Sequence, residues 1–354
     1  MPLAILPFTA DAAPAVREFN ARLLAGGAPN DQQFPELSDA SLMPGSELFV
    51  AVEEGKVRGG YILRRQQFTA GGTEVVTAHY RLPLSEGIVD RKYTMLGLRM
   101  VRDALAREPH LYAMGMGGWD KPLPKMLKSM KWQMCAVPFH FLVVHPGRFL
   151  RNIRPLRTSA WRRMAMDAAA FTGAGWLGMK ALGMARTPRR EPCDLAERFA
   201  GWADDVWERS LPDYALLARR DAETLDELYP ASDPRFLRVR AAGGWAVLLD
   251  TQMRDHKQFG ALRVGTIVDC LAPAESADAV VRAAAGLLAE RGVDLIVSNQ
   301  LHAAWSRALL DCGFRLGPSN YLLALSPKFA ECAGGAAAER FHANRGDGDG
   351  PIHL

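Results

Sequence analysis

Several segments of the first half of the chain recur in the second half, in the same order and at a nearly constant offset of about 182 residues. An acid marks one of these correspondences, because Glu86 in RLPLSEGIVD matches Asp269 in VGTIVDCLAP. An aromatic residue, Trp132 or Phe314, ends an amphipathic segment 46 residues after the first acid and 45 residues after the second. Internal similarity of this kind predicts two copies of one folding unit.

The chain is long enough for two domains, each with its own hydrophobic core. Its 354 residues exceed the usual length of a single domain, and 49% hydrophobic with 23% charged residues is typical of a globular protein. Strand-like runs at 138–146 and 319–327 are expected to close the two copies. The pattern predicts the following division: a first domain at 1–147, a basic helical connector at 148–192, a second domain at 193–330 and a disordered tail at 331–354.

Within each copy, the spacing of apolar residues predicts a mixed α/β fold. In the first copy, residues 11–25 have helical spacing, and three strand-like runs follow at 47–54, 59–69 and 74–85. A helical pattern at 94–109 then leads into a short apolar run. A strand, a helix and a second strand in succession indicate a parallel pair joined by a crossover. Each domain is therefore expected to contain a mostly antiparallel mixed sheet with one parallel pair, flanked by helices.

This order of elements, present twice, resembles the GNAT superfamily of N-acyltransferases. The resemblance implies that the fourth strand leads into a loop that holds the pyrophosphate of acyl-CoA, and that the fifth strand splays away from the fourth. The helix after the loop would point its N-terminus at the phosphates, where exposed N–H groups and the positive end of the helix dipole favour an anion. The implied cosubstrate is acetyl-CoA or another acyl-CoA, the acceptor is a small-molecule amine, and no metal is expected.

The phosphate loop corresponds to IVDRKYTMLGLRMVRDAL, where Arg91 and Lys92 begin the family's signature and could contact phosphate. A solvated loop is the alternative for these two residues. In the second copy, Glu275 and Asp278 stand at the equivalent place and would repel a pyrophosphate. The resemblance therefore favours the first copy as the acyl-CoA site, with these candidate binding residues: Gly87, Ile88, Val89, Arg91, Lys92, Tyr93, Thr94, Met95, Leu96 and Gly97.

Glu86 is the candidate general base, because an acid near this position deprotonates the incoming amine in many members of the family. Attack on a thioester requires a neutral amine, which gives such a base a chemical purpose. A hydrogen-bonding role at the end of the strand is the alternative. The family's usual general acid, a tyrosine, is absent from both copies, which have Leu127 and Leu309 at that position.

The acceptor site is expected to involve four residues: Trp119, Asn299, Gln300 and His302. Two other functions remain open. One is a FemAB-like enzyme that transfers an aminoacyl group from tRNA to cell-wall precursors, which is the one case in which nucleic acid would bind. The other is a GNAT-fold binding or scaffold protein without turnover, which the missing tyrosine favours.

The connector is the most basic part of the chain. Residues 148–190 contain ten Lys/Arg and a single acid, around a stretch rich in aromatic residues and methionine. This composition fits an interfacial helix on an anionic membrane surface, and a helix packed between the two domains is the alternative. Five cysteines without a CxxC pair favour reduced thiols, and no leader peptide is recognised. The expected location is therefore cytoplasmic, with peripheral contact at the inner face of a membrane as an option.

Overall fold

Two sheets organise the chain, and each contains one parallel strand pair. The computed structural model describes residues 2–35, 45–156, 159–172, 174–181, 187–189 and 191–348. Contacts divide the chain into two units, one made of residues 1–135 and 322–335, the other of residues 136–321 and 336–354. Strands and helices are numbered below in chain order.

The first unit builds its sheet in the order β1-β2-β3-β4-β5-β15-β6. Its strands are β1 (Ala4–Pro7), β2 (Ser46–Glu53), β3 (Lys56–Ala70), β4 (Thr73–Ser85), β5 (Leu111–Gly115), β6 (Gln133–Ala136) and β15 (Leu322–Leu325). Its helices are α1 (Ala13–Ala25), α2 (Leu96–Arg107), α3 (Pro122–Ser129) and α11 (Pro327–Cys332). The pairs β1–β2, β2–β3, β3–β4 and β5–β15 are antiparallel, whereas β4 and β5 form the expected parallel pair through α2.

Both faces of this sheet are covered, as the alternation along β3 illustrates. Tyr61 and Leu63 point to one face and join the core that includes Met100 and Val101 of α2. Ile62 points to the other face and packs in the core built around α1. Because strand side chains alternate between faces, a continuous apolar run is the pattern expected of a strand buried on both sides.

The second unit repeats this plan, with the sheet order β14-β7-β13-β12-β11-β10-β8. The strands of this sheet are β7 (Phe139–Val143), β8 (Asp194–Ala196), β10 (Leu237–Ala241), β11 (Gly244–Gln252), β12 (Arg263–Leu271), β13 (Leu295–Asn299) and β14 (Arg315–Gly317). The unit also contains the short strand β9 (Leu216–Ala218), which is not part of this sheet. Its helices are α4 (Pro146–Asn152), α5 (Ala160–Thr172), α6 (Ala174–Ala181), α7 (Gly201–Ser210), α8 (Ala222–Leu228), α9 (Ala277–Glu290) and α10 (Ala303–Asp311). Strands β12 and β13 are the parallel pair, joined by α9.

The two closing strands are exchanged relative to the division expected from the sequence. Strand β7 follows the first copy along the chain, yet it pairs with β13 of the second unit, where Val143 faces Leu295. Strand β15 follows the second copy and pairs with β5 of the first unit, where Leu325 faces Tyr112. The expected ends of the first domain at 147 and of the second at 330 therefore differ from the structure. Apolar alternation identifies a strand and its buried face, but it does not encode the neighbouring strand.

The C-terminal segment that was expected to be a disordered tail is ordered over residues 331–348. Residues 331 and 332 are the end of α11 and 333–335 follow it in the first unit, while residues 336–348 belong to the second unit with Phe341, His342 and Asn344 buried. Polar groups of this segment find buried hydrogen-bond partners, which is why a stretch rich in glycine and polar residues is ordered. Residues 349–354 of the expected tail, and residues 157–158, 173, 182–186 and 190 of the connector, lie outside the described residues.

Candidate functional site

A bulge marks the C-terminal half of β4. Gly60 faces Leu84 and Ile62 faces Arg81, so β4 contains one more residue than β3 over this interval. Within the bulge, Leu82 has a φ of +44°, a backbone conformation that non-glycine residues rarely adopt. Bulges and strained residues of this kind are concentrated at functional sites, where they redirect the backbone of a strand.

Strands β4 and β5 diverge next to this bulge. They pair only at Ala78 with Leu111 and at His79 with Tyr112. Beyond these pairs β4 continues for six residues to Ser85, while β5 pairs with β15 on its other side. The expected splayed pair is therefore present, and its open end points to the turn that precedes α2.

That turn leaves the N-terminus of α2 without a capping side chain. Two short 3₁₀ turns, Glu86–Ile88 and Arg91–Tyr93, connect β4 to α2. The N-cap residue of α2 is Met95, which makes no side-chain hydrogen bond, and the first turn of the helix contains no acid. The first N–H groups of a helix lack partners inside the helix and carry its positive partial charge. This end of α2 is therefore suited to bind an anion.

Local contacts hold the turn in place. A Cβ on Gly87 would lie 2.6 Å from the carbonyl oxygen of Tyr93, so only glycine fits there. A Cβ on Gly26, at the end of α1, would lie 2.5 Å from Val89, which shows how closely the turn packs on that helix. Gly97 differs from these two positions, because an added Cβ would have no heavy atom within 4 Å.

The two predicted cations have different environments. Arg91 is exposed on the turn beside the start of α2. The ammonium group of Lys92 lies 3.2 Å from Glu53, and the buried Tyr93 donates its hydroxyl to the same carboxylate at 2.7 Å. These hydrogen bonds from Tyr93 and Lys92 lower the pKa of Glu53. Lys92 therefore stabilises the turn through Glu53, while the exposed Arg91 is the better placed of the two to contact a ligand.

Glu86 lies at the start of this turn with both carboxylate oxygens engaged. Arg22 of α1 donates to Oε1 at 2.8 Å, and Arg58 of β3 donates to Oε2 at 2.9 Å. The carboxylate is buried, so these are charge-assisted bonds in a low-dielectric environment. The geometry favours an anchor that ties α1 and β3 to the end of β4, which was the alternative considered for this residue.

The equivalent acid of the second unit is held even more completely. Asp269, near the end of β12, accepts hydrogen bonds from Nε of Arg220 at 2.8 Å and from the hydroxyl of Tyr229 at 2.7 Å. Arg220 also donates to Asp347 at 2.5 Å, and all three charged side chains are almost fully buried. Burial alone would lower the pKa of Arg220, but Asp269 and Asp347 outweigh that effect and raise it above the usual range.

Residues 341–347 fill the space where β12 and β13 diverge. The last pair between these strands is Ile267 with Ser298. Beyond it, His342 Nε2 bonds to the carbonyl oxygen of Cys270 at 2.7 Å, and Asn344 donates to Oδ1 of Asp269 at 2.9 Å. The same segment accepts a hydrogen bond from the backbone N–H of Leu301, just after β13. The splayed pair of the second unit is thus closed by the chain itself.

Several solved structures described as acyltransferases are similar to this fold. The Saccharomyces cerevisiae N-myristoyltransferase with bound myristoyl-CoA is 9% identical, with 92% of this chain and 84% of that chain covered and a TM-score of 0.53. A candidate acetyltransferase of Pyrococcus horikoshii is 9% identical, with 96% and 94% covered and a TM-score of 0.50. A GCN5-related N-acetyltransferase of Kribbella flavida is 13% identical, with 92% and 71% covered and a TM-score of 0.50. No protein-family model and no curated protein sequence matches the chain.

The chain has a GNAT-like fold. The mixed sheets, their parallel splayed pairs and the flanking helices are all as the resemblance implied. Leu127 and Leu309, which the sequence comparison aligned with the usual tyrosine, are both buried in the cores of their units. Among the described residues, no cluster of His, Cys, Asp and Glu could hold a metal ion. Nor does any described helix combine the length and the apolarity that crossing a bilayer requires.

The predicted acceptor residues of this GNAT-like fold belong to different units. Trp119 is exposed in the first unit, after a run of positive-φ residues at 115–118 that turns the chain out of β5. Asn299, Gln300 and His302 are buried in the second unit. Asn299 accepts a hydrogen bond from Arg345 at 3.3 Å, and Gln300 donates to Ser298 at 3.2 Å.

His302 caps α10 by accepting the N–H of Ala304 at 3.3 Å. Burial, reinforced by the nearby His342, lowers the pKa of His302 to about 4, so the ring is neutral near pH 7. Together with the bonds of Asn299 and Gln300, this contact commits the three polar side chains to the interior of the second unit.

Neither the packing of residues 341–347 nor the arginines that bind the two acids were expected from the sequence. Arg22 and Arg58 lie 64 and 28 residues from Glu86, and no local pattern connects them. Residues 341–347 did contain one local signal. Asn344 and Asp347 form a capping box. The side chain of Asn344 accepts the backbone N–H of Gly346, and the side chain of Asp347 accepts the backbone N–H of Asn344.

Proposed function

We propose that the protein is an acyl-CoA-dependent N-acyltransferase and that the first unit binds the acyl-CoA. The observation that carries the proposal is the combination, in one unit, of an open splayed strand pair with an uncapped helix N-terminus at its end. The gap between β4 and β5 would receive the pantetheine arm, and the first N–H groups of α2 would bind the pyrophosphate. The exposed side chain of Arg91 would add a cationic contact.

The second unit supports this assignment by contrast. Its splayed pair is filled by residues 341–347, and its corresponding helix α9 has Asp278 in the first turn, with Glu275 just before the helix. An acid in the first turn interacts with the dipole of its own helix and repels a second anion. The two units would therefore have different roles, with acyl-CoA in the first alone.

The reaction would be direct transfer. A neutral amine attacks the thioester carbonyl, a C–N bond forms, the C–S bond breaks, and CoA leaves as a thiolate while the amine nitrogen loses one proton. Backbone N–H groups near the bulge of β4 would stabilise the negative charge on the carbonyl oxygen. No tyrosine stands at the usual position to protonate the thiolate, which is a tolerable leaving group without that help.

The proton of the amine would pass to water rather than to Glu86. Both oxygens of Glu86 already accept hydrogen bonds from arginines, which engage the carboxylate in tying the turn to α1 and β3. We therefore assign Glu86 to positioning the turn that precedes α2, in place of the catalytic role expected from the family resemblance.

A binding protein with the same fold and no turnover is the second candidate. The observation in its favour is that buried Leu127 and Leu309 replace the usual tyrosine. It would bind acyl-CoA in the same place and differ only in the absence of thiol release.

Calorimetry with CoA, acetyl-CoA and myristoyl-CoA tests the site. The wild type should bind, and Arg91→Glu should weaken binding about tenfold or more, because it exchanges an attractive charge for a repulsive one. Arg17→Glu, at an exposed position on α1, changes the net charge equally and should bind like the wild type. Absence of binding by the wild type would refute the proposal. Release of free thiol from bound acyl-CoA on adding a panel of amines separates the enzyme from the binding protein.

A further inference from the structure

A strongly exposed apolar stripe lies on the helices that follow β7. The four most exposed large hydrophobic side chains among the described residues occur within 17 residues: Phe171 (92% exposed), Met164 (73%), Trp161 (68%) and Leu177 (62%). Three of them belong to α5, at spacings of three and seven residues, which places them on one face of the helix. Such a concentration on a globular protein marks an interaction surface.

The opposite side of these helices is anchored in the second unit. Met166 of α5 packs against the core cluster that contains Phe149 and Ile153 of the α4 region. Helices α4 and α6 approach closely, because a Cβ on Gly175 would lie 2.3 Å from a methyl group of Leu150. The exposed stripe is therefore the outer face of a packed helical layer, held in a fixed orientation by its inner face.

Positive charge accompanies the stripe. Residues 148–190 contain ten Lys/Arg and one acid, which leaves 33 basic and 38 acidic residues in the rest of the chain. The chain is thus basic only through this segment. Arg162 stands next to the stripe with its guanidinium 5.8 Å from the ring centre of Trp161, and Arg151 is exposed on α4.

We infer that the α5 stripe docks on an anionic lipid surface. Trp161, Met164 and Phe171 would enter the boundary between headgroups and acyl chains, while the flanking arginines contact lipid phosphates and carboxylates. A second copy of the chain fits this face less well, because it would bring a second concentration of positive charge against the first. A lipid surface offers the apolar layer and the negative charge together.

Flotation of the full chain with vesicles tests the inference without any acyl-CoA, so its outcome is independent of the proposed activity. Binding should require anionic lipid: strong with phosphatidylcholine containing about 30% phosphatidylserine, and weak with phosphatidylcholine alone. Raising the salt from about 0.1 M to about 1 M shortens the screening length about threefold and should release most of the protein.

Two pairs of variants identify the surface. Trp161→Ala combined with Phe171→Ala should weaken binding about tenfold or more, whereas Leu195→Ala combined with Leu316→Ala, also at exposed positions, should bind like the wild type. Arg162→Glu should weaken binding at least about fivefold, the value for loss of one basic residue. Arg307→Glu, an equal charge change on α10, should have little effect.

Three results would overturn the inference. One is equal binding to neutral and anionic vesicles, and another is unchanged binding by the Trp161 and Phe171 double variant. The third is a dimer in vesicle-free solution that this double variant dissociates, which would assign the stripe to a second copy of the chain. Unfolding curves of the variants should overlay that of the wild type, since the altered side chains are exposed.

Discussion

Placing an acid at the start of α2 should make the anion site proposed for the first unit resemble the acidic helix start of the second unit. Gly97 is the second residue of α2, as Asp278 is of α9. An added Cβ at Gly97 meets no heavy atom within 4 Å, so Gly97→Asp and the nearly isosteric Gly97→Asn both fit. The two variants differ by one negative charge, which isolates electrostatics from shape.

The expected magnitude follows from Coulomb's law. A carboxylate about 6 Å from a pyrophosphate with two negative charges is repelled by roughly 1.4 kcal/mol at the dielectric constant of water, and by roughly 5.5 kcal/mol at an effective constant of about 20. Even the lower figure is a tenfold loss of affinity. Fold stability should move in the opposite direction, because an acid in the first turn complements the helix dipole by about 0.3–1 kcal/mol and replacing glycine restricts the unfolded chain.

Calorimetric titration with CoA and thermal unfolding of the same samples provide the readouts. Gly97→Asp should bind CoA at least about tenfold more weakly than Gly97→Asn, with an unfolding midpoint no lower than that of the wild type. Equal affinities for the two variants would refute a pyrophosphate at the N-terminus of α2. A lower unfolding midpoint for Gly97→Asp would show that the stability part of the reasoning is wrong.

Three further predictions concern buried ionisable side chains. Arg220→Met should cost about 3–5 kcal/mol in chemical denaturation, since Asp269 and Asp347 then lose their buried cation, whereas Arg198→Met, at an exposed ion pair, should cost less than about 1 kcal/mol; equal costs would contradict the importance of burial. Glu86→Gln should lower stability by about 2 kcal/mol and kcat by less than about tenfold; a larger fall in kcat with intact stability would restore the catalytic role. Burial lowers the pKa of His140 to about 4, so the unfolded chain binds a proton below pH 6.5 that the folded chain does not. Stability should therefore fall by roughly 2 kcal/mol from this group between about pH 6.5 and 5, and His140→Gln should flatten that slope.

The sequence predicted the elements of the fold more completely than their pairing. The helical spacing at 94–109 and the strand-like run at 47–54 correspond to α2 and β2, with ends that differ by one or two residues. The exchange of β7 and β15 could not be predicted, because an apolar strand buried on both faces has the same pattern whichever neighbour it joins.

At the candidate site, the sequence predicted the features that depend on residues close together in the chain, such as the charge at each helix start. Acids near the start of α9 and their absence from the first turn of α2 distinguish the two copies, and the structure has both helix starts where they were expected. Contacts between residues far apart in the sequence could not be predicted in this way. The role of Glu86 depends on Arg22 and Arg58, and the closure of the second unit depends on residues 341–347, whose composition is typical of a loose terminus.

The two acids that the sequence comparison of the halves matched, Glu86 and Asp269, are held in the same way in both units. Glu86 and Asp269 each lie at or near the end of the strand before the crossover helix, and each binds arginine from an element far away in sequence. A carboxylate held in this way fixes the end of the strand, whether or not the neighbouring space binds a ligand. What differs is the occupant of that space, since the second unit fills it with its own chain and the first leaves its strands apart. The different roles proposed for the two units therefore depend on residues 341–347 and on the charge at the helix start, and not on the acid itself.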